Sequence, residues 1–214
     1  MLIQTNFRPG SGRSEMPHVP ALLARTRPCA VTLYPENAVI YAQGAPAGPL
    51  YLVEFGAVRL CQLTSDGRRQ ISAFVFAGEV FGFEATAEHR HYAESVDGAG
   101  VRMLRPTLTD QLADSLLPLA LRSLARAQDH LLVLGRQNAS EKMAAFLLDL
   151  AERQDSEQFV SLPMQRGDIA DYLGLTFETV SRVLRKLQDA RIIRLPAIKQ
   201  VELLDTAALE ELCE

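Results

Sequence analysis

Four polar residues near the end of the chain fall at a spacing that could do chemistry together. Glu178, Ser181, Arg182 and Arg185 stand at i, i+3, i+4 and i+7, so a helix would carry them on one face. Val180, Val183, Leu184 and Leu187 would take the opposite face. An Arg can donate twice to guanine N7 and O6, a Glu can accept from cytosine N4, and a Ser is permissive. The polar face therefore suits the edges of base pairs in a DNA major groove. Arg166, Thr176, Thr179, Arg185 and Lys186 suit phosphates, which position a protein on DNA without specifying sequence.

Such a face is useful only if a scaffold holds it. Residues 166–187, RGDIADYLGLTFETVSRVLRKL, meet the demands of a helix-turn-helix that starts at Arg166. Ala170 is small where two helices must approach, and Gly174 stands at the turn, where a positive φ excludes most residues. Thr176 can cap the second helix. Ile169, Leu173 and Leu175 supply apolar contacts, and the two β-like runs around Leu195-Pro196-Ala197 suit a wing. A plain pair of core helices is the alternative. The basic run of Arg182, Arg185, Lys186, Arg191, Arg194 and Lys199 is opposed only by Asp189, on a chain of 214 residues whose net charge is −4. A local basic patch on an acidic protein suits a partner that meets one face only.

Upstream the period changes. Residues 138–153 carry a buried stripe of Met143, Phe146, Leu147, Leu150 and Ala151, with Asn138 and Ser140 as cap candidates. Before it, Thr107 and Asp110 resemble a capping box that opens a long helix through Pro118 to about Gly135. Leu124, Ala127, Leu131 and Leu134 recur along it at 3–4–3 spacing without a charge, which favours a partner helix over packing on its own β-domain. Between residues 28 and 106 lie short β-like runs: 31–34, 39–41, 50–53, 57–63, 70–76, 92–96 and 101–104. Gly- and Pro-rich turns separate them, Asp66-Gly67 and Asp97-Gly98 among them, which suits an antiparallel roll. Residues 1–27 are rich in Arg, Pro, Gly and Ser without period and suit a flexible arm.

The expected fold class is thus α+β. An N-terminal antiparallel β-roll at 28–106 precedes a dimerisation helix at 107–137 and a winged helix-turn-helix at 138–214. At 48% hydrophobic and 22% charged residues the chain can build a core. No apolar stretch reaches the ~18 residues of a membrane span, and no secretory signal is visible, so a cytoplasmic protein with no membrane partner is expected. Cys29, Cys61 and Cys213 lie too far apart for a disulfide framework or a CxxC knuckle.

This order of parts resembles the Crp/Fnr family of bacterial transcription regulators over roughly residues 28–205. GEVFGFEA at 78–85, ARAQDHLLVLGRQNASEKMAAFLLDLAER at 125–153 and LPMQRGDIADYLGLTFETVSRVL at 162–184 carry the likeness. The last two are most similar to the FixK branch, whose roll is a cyclic-nucleotide-binding-like jelly roll. The resemblance implies a homodimer that reads a TTGAT-N4-ATCAA palindrome through an E-x-x-S-R motif, matched here by Glu178, Ser181 and Arg182. Phe177 and Ser181 depart from the catabolite-activator branch, which has Arg and Gly there. The resemblance also implies an activator that touches RNA polymerase through the loop of Asp66 and Arg68; an ordinary solvated hairpin is the alternative.

Effector chemistry is expected to be missing. Gly78-Glu79 matches half of a cyclic-nucleotide site, but no Arg-Ser pair follows; the stretch reads Arg90-His91-Tyr92-Ala93-Glu94. The resemblance implies for Fnr proper an iron–sulfur cluster on several N-terminal cysteines plus one in the roll. A cluster needs about four thiolates, against three Cys in this chain, and Arg102 stands near the position of Fnr's roll cysteine. His89-x-His91-x2-Glu94 nearly matches the first metal motif of cupin barrels, yet the only later histidine is His130. The three therefore read as surface residues rather than ligands. No catalytic residues, metal or cofactor are expected, so the chain is read as no enzyme. A regulator gated by haem, nitric oxide or oxygen and a metal-dependent cupin-like enzyme are the competing readings.

Overall fold

The computed structural model describes Val19, Leu22, Leu23 and residues 26–64, 67–106 and 112–213. Strands β1 (Thr26–Tyr34), β2 (Val39–Tyr41), β3 (Leu50–Leu63), β4 (Arg69–Phe76), β5 (Val80–Phe81) and β6 (Tyr92–Pro106) form one antiparallel sheet. Its main path runs β1-β6-β3-β4, with β2 on β6 and β5 on β3. Helices α1 (Leu112–Gly135) and α2 (Ala139–Arg153) follow. Then come β7 (Phe159–Ser161), α3 (Arg166–Leu173), α4 (Phe177–Asp189), β8 (Ile193–Ala197), β9 (Gln200–Leu203) and α5 (Thr206–Glu211). The order of parts matches the expected one, and β7 makes the wing sheet three-stranded, in the order β7-β9-β8.

Two pairs of expected strands are single long ones. The runs at 50–53 and 57–63 join as β3, and those at 92–96 and 101–104 join as β6. Asp97-Gly98 is therefore not a turn between strands. The register between β3 and β6 slips around Phe55 and Gly56, and Gly56 and Gly98 carry positive φ of 79° and 83°. Glycine at such a φ lets a strand bulge and bend without ending. The bend also brings backbones together: a Cβ on Gly56 would lie 2.2 Å from the Gly98 carbonyl oxygen.

The end of the stretch read as a flexible arm is held. Val19 and Leu22 are buried with Leu50, Leu52, Leu104 and Leu119, beneath the start of α1, and Thr26 already pairs in β1. The apolar Val19-x2-Leu22 spacing supplies the contact that the Arg- and Pro-rich surroundings obscured. The capping box at Thr107 and Asp110, like Asp66, lies outside the described residues. Pro118 sits within α1 without ending it, and Asn138 caps α2 by accepting from the Ser140 amide at 2.9 Å. The expected stripe of α2 is wholly buried, in one core with α3, α4 and the wing.

Gly56→Ala should be severe. It should cost about 1–2 kcal/mol of left-handed backbone together with about 1–3 kcal/mol of overpacking against Gly98. Gly78→Ala, at φ 85° but with open space around it, should cost only the backbone part. Denaturant titration of both variants checks the difference.

Candidate nucleic-acid interface

The turn between α3 and α4 is built as the sequence requires. Gly174 ends α3 in the left-handed conformation at φ 63°, with its amide donating to the Ala170 carbonyl. Ala170 itself is buried. The Thr176 side chain accepts from the Thr179 amide at 3.2 Å and starts α4. Val180, Val183, Leu184 and Leu187 are buried beneath α4, so its opposite side must face water.

That opposite side carries the expected reading residues. Glu178 and Arg182 are exposed and Ser181 is half-buried. Arg166 Nη1 donates to Ser181 Oγ at 3.3 Å, and Arg182 Nη2 donates to Thr179 Oγ1 at 3.2 Å. Hydrogen bonding from its own backbone amide and from Thr176, helped by Arg182, holds the Glu178 carboxyl below its usual range. It therefore stays an acceptor. Thr176, Arg166, Arg185 and Lys186 are exposed around this row, with Thr179 half-buried. Phe177, which the sequence reading noted only as a departure, is 53% exposed beside Glu178 and adds an apolar surface of the kind that meets a thymine methyl. At the wing tip Ile198 is 95% exposed.

The basic run is smaller than its sequence suggests. Arg194 pairs with the buried Glu202, and Lys199 pairs with Asp97 at 2.5 Å. Among the described residues Arg182, Arg185, Lys186 and Arg191 make no ion pair, so the free positive charge gathers on α4 and just beyond it.

Along α1, Leu124 and Leu131 are 54% and 67% exposed, and Leu117 and Leu121 continue their row at 59% and 54%. The other two expected seam residues lie differently. Ala127 borders a cavity against the roll, while Leu134 is half-buried, with Cδ2 3.6 Å from where a Gly174 side chain would begin.

The cavity, of about 280 Å³, lies between the roll and α1 and is lined in part by Glu79, Phe81, His91, Arg122, Arg126 and Tyr172. Tyr172 is pushed up to about 12, first by burial. Glu79, the half-match to a ribose contact, accepts from Arg126 at 2.6 Å and from Arg153 at 2.8 Å, so both its oxygens are committed within the chain. Glu94 is drawn away to Arg59 at 2.8 Å.

The histidine motif also resolves differently from its reading as surface. His89 is 2% exposed, stacked on Tyr41 at 3.6 Å, with Nδ1 3.3 Å from Glu84. Burial lowers the pKa of His91. With Glu94 on Arg59, the trio does not converge, and no group of three metal-ligating side chains occurs among the described residues. Arg102 pairs with Glu54 at 2.5 Å and donates to the Cys29 carbonyl, a structural role in the roll.

Comparison with known proteins fits this architecture. A Crp-like helix-turn-helix domain matches residues 141–212, and a cyclic nucleotide-binding domain matches residues 31–99. The nitrogen fixation regulation protein FixK of Rhizobium meliloti is 46% identical over 87% of this chain and 88% of its own. The chain belongs to the Crp/Fnr family. Within that family it is FixK-like. The structure of FixK2 from Bradyrhizobium japonicum superposes with a TM-score of 0.81 at 39% identity, covering 88% of this chain and 98% of that one. A CRP-family transcriptional regulator from Thermus thermophilus gives 0.73 at 30% identity, over 85% and 96%. The relatives named include a nitrogen fixation regulation protein and a transcriptional regulator, and the chain is a FixK-like DNA-binding transcription regulator. Among the described residues no helix is long and apolar enough to cross a membrane.

Proposed function

We propose that this FixK-like regulator is a cytoplasmic, non-enzymatic activator that binds a TTGAT-N4-ATCAA palindrome as a homodimer, with no obligatory small-molecule effector or cofactor. The observation that carries this reading is the solvent-facing row of Glu178, Ser181 and Arg182 on a helix fixed by the Gly174 turn. Arg182 takes the guanine, Glu178 the paired cytosine, and Ser181 an adjoining edge. Arg166, Thr176, Thr179, Arg185 and Lys186 hold phosphates on either side. Arg166 leaves Ser181 to do so.

A palindrome requires two equivalent recognition helices about one helical turn apart. The exposed Leu117, Leu121, Leu124 and Leu131 on α1 offer the apolar face for a second copy, with Ala127 and Leu134 at its margins. Uncharged, that face associates without any ion to neutralise. The effector-free reading is supported by Glu79, whose oxygens are already held by arginines of the same chain.

In solution, Arg182→Ala should weaken cognate binding by roughly 1–3 kcal/mol per half-site and relax discrimination at the guanine. Unchanged affinity and discrimination in a mobility-shift titration would refute the base-reading assignment.

The wild-type protein should sediment as a dimer and bind its site as purified, in air and with nothing added. Leu131→Glu should shift it to monomers. A wild-type monomer that binds only after haem, a nucleotide or a reductant is supplied would favour the gated reading instead.

Asp66 and Arg68 belong, on this reading, to the polymerase-facing tip between β3 and β4. Charge reversal there should lower transcription in a reconstituted assay with DNA affinity unchanged. Parallel loss of both would assign the loop to folding.

A further inference from the structure

The recognition helix is attached to more than its own domain. Asp168 is the third residue of α3, and its side chain is 6% exposed. One oxygen accepts from Arg59 of β3 at 3.1 Å, and the other from Arg69 at the start of β4. The roll holds Arg59 from its own side as well. Arg59 is bound to Glu94 of β6 at 2.8 Å and to Asn37 at 2.9 Å, so its guanidinium is fixed whether or not Asp168 is present. Arg69 reaches Asp171 at 2.8 Å, and Gln70 donates to the Asp171 carbonyl at 2.9 Å.

Two further anchors join the roll to the helices. Glu79 of the roll receives Arg126 of α1 and Arg153 of α2, and Arg153 also donates to the Phe74 carbonyl at 2.6 Å. His130 of α1 places one ring nitrogen 3.2 Å from the Ser72 carbonyl oxygen of β4. The other lies 2.8 Å from that of Tyr172 in α3.

Buried ion pairs add little stability over apolar residues of the same shape, because desolvation offsets the attraction. Their best-attested use is to select one geometry, since any other leaves a charge buried and unmatched. Anchors at Asp168, Arg153 and His130, on three different helices, fix the orientation of one rigid body on another. Because α3 and α4 are joined through the left-handed Gly174, whatever fixes α3 also fixes the reading face of α4.

We infer that Asp168, held by Arg59 and Arg69, is a positioning residue that sets the angle of the recognition helix and hence the half-site spacing that the dimer accepts. This rests on the dimeric palindrome reading above. Asp168 touches no DNA on that reading; it acts through α3.

The test uses the full-length protein and palindromes with spacers of three, four, five and six base pairs. Wild type should prefer one spacer by about tenfold, or about 1.4 kcal/mol. Asp168→Asn should lose that preference while still rejecting half-sites with altered guanines. A uniform loss of affinity with the spacer preference intact would make Asp168 merely structural and overturn the inference. Should Asp168→Asn fail to fold, Arg69→Lys, which keeps the charge and loses the fork, must show the same loss of preference.

A second readout needs no DNA. Spin labels at Leu63→Cys and Gln188→Cys, with the native cysteines replaced, report the distance from roll to recognition helix. Asp168→Asn should broaden or displace a single narrow distribution. An unchanged distribution overturns the inference even if the palindrome reading stands. A wild type with no spacer preference but a distribution that Asp168→Asn broadens would instead defeat the palindrome reading and leave the positioning role intact.

Discussion

A carboxylate withdrawn from water must find a cation, and in this chain the buried carboxylates of the seam find theirs on another part of the molecule. Asp168 of α3 meets Arg59 and Arg69 of the roll, and Glu79 of the roll meets Arg126 and Arg153 of the helices. Removing one partner from such a pair is costly, of the order of 3–5 kcal/mol, because the remaining charge stays desolvated. The roll and the DNA-binding unit are therefore not two beads on a helix. Each completes the electrostatics of the other, and the apolar core of the winged unit itself includes Ala57, Cys61, Ile71, Phe74 and Val96 of the roll. Burial first, and then the neighbouring Glu94, push the Cys61 thiol at that junction up to about 11.

The elements with one geometric solution were legible in the sequence. A small residue at 170, a glycine at 174 and a hydroxyl at 176 each answer a local demand of a helix-turn-helix, and every one stands as that demand requires. The stripes of α2 and α4 are equally local, being a matter of 3.6-residue period. The strands were less legible, because a glycine with positive φ looks the same in a turn as in a bulge. Asp97-Gly98 and Gly56 interrupt hydrophobic runs without ending strands, and only the neighbouring strand decides between the two. The short β5 and β7 carry too few residues for a period to show.

Charged and polar side chains were the least legible. Arg59 and Asp168 are 109 residues apart, and Glu79 and Arg153 are 74 apart. Taken one at a time, each reads as an ordinary solvated charge. His89 looks like a surface residue in the sequence for the same reason, and is buried. Its neighbours in sequence are polar, whereas its neighbours in space are Tyr41, Tyr51 and Glu84. The basic run after Arg182 was overcounted likewise, since Glu202 and Asp97 withdraw Arg194 and Lys199 from it.

That withdrawal bears on how an acidic protein handles a polyanion. Phosphate contacts supply most of the sequence-independent affinity for DNA, and each cation given to an internal pair is one fewer counterion displaced. A chain of net charge −4 is repelled as a body by DNA, and within the described basic run the attraction is left to Arg182, Arg185, Lys186 and Arg191 on and just beyond α4. Random sequence then offers it little hold. On the proposed reading, binding comes from the added hydrogen bonds that Glu178, Ser181 and Arg182 make at matching base pairs, and those bonds form only if both reading faces arrive at the right angle together. On that reading two sets of internal ion pairs act on selectivity: those of Arg194 and Lys199 remove charge that would hold any DNA, and those of Asp168 fix the geometry that only the right DNA satisfies.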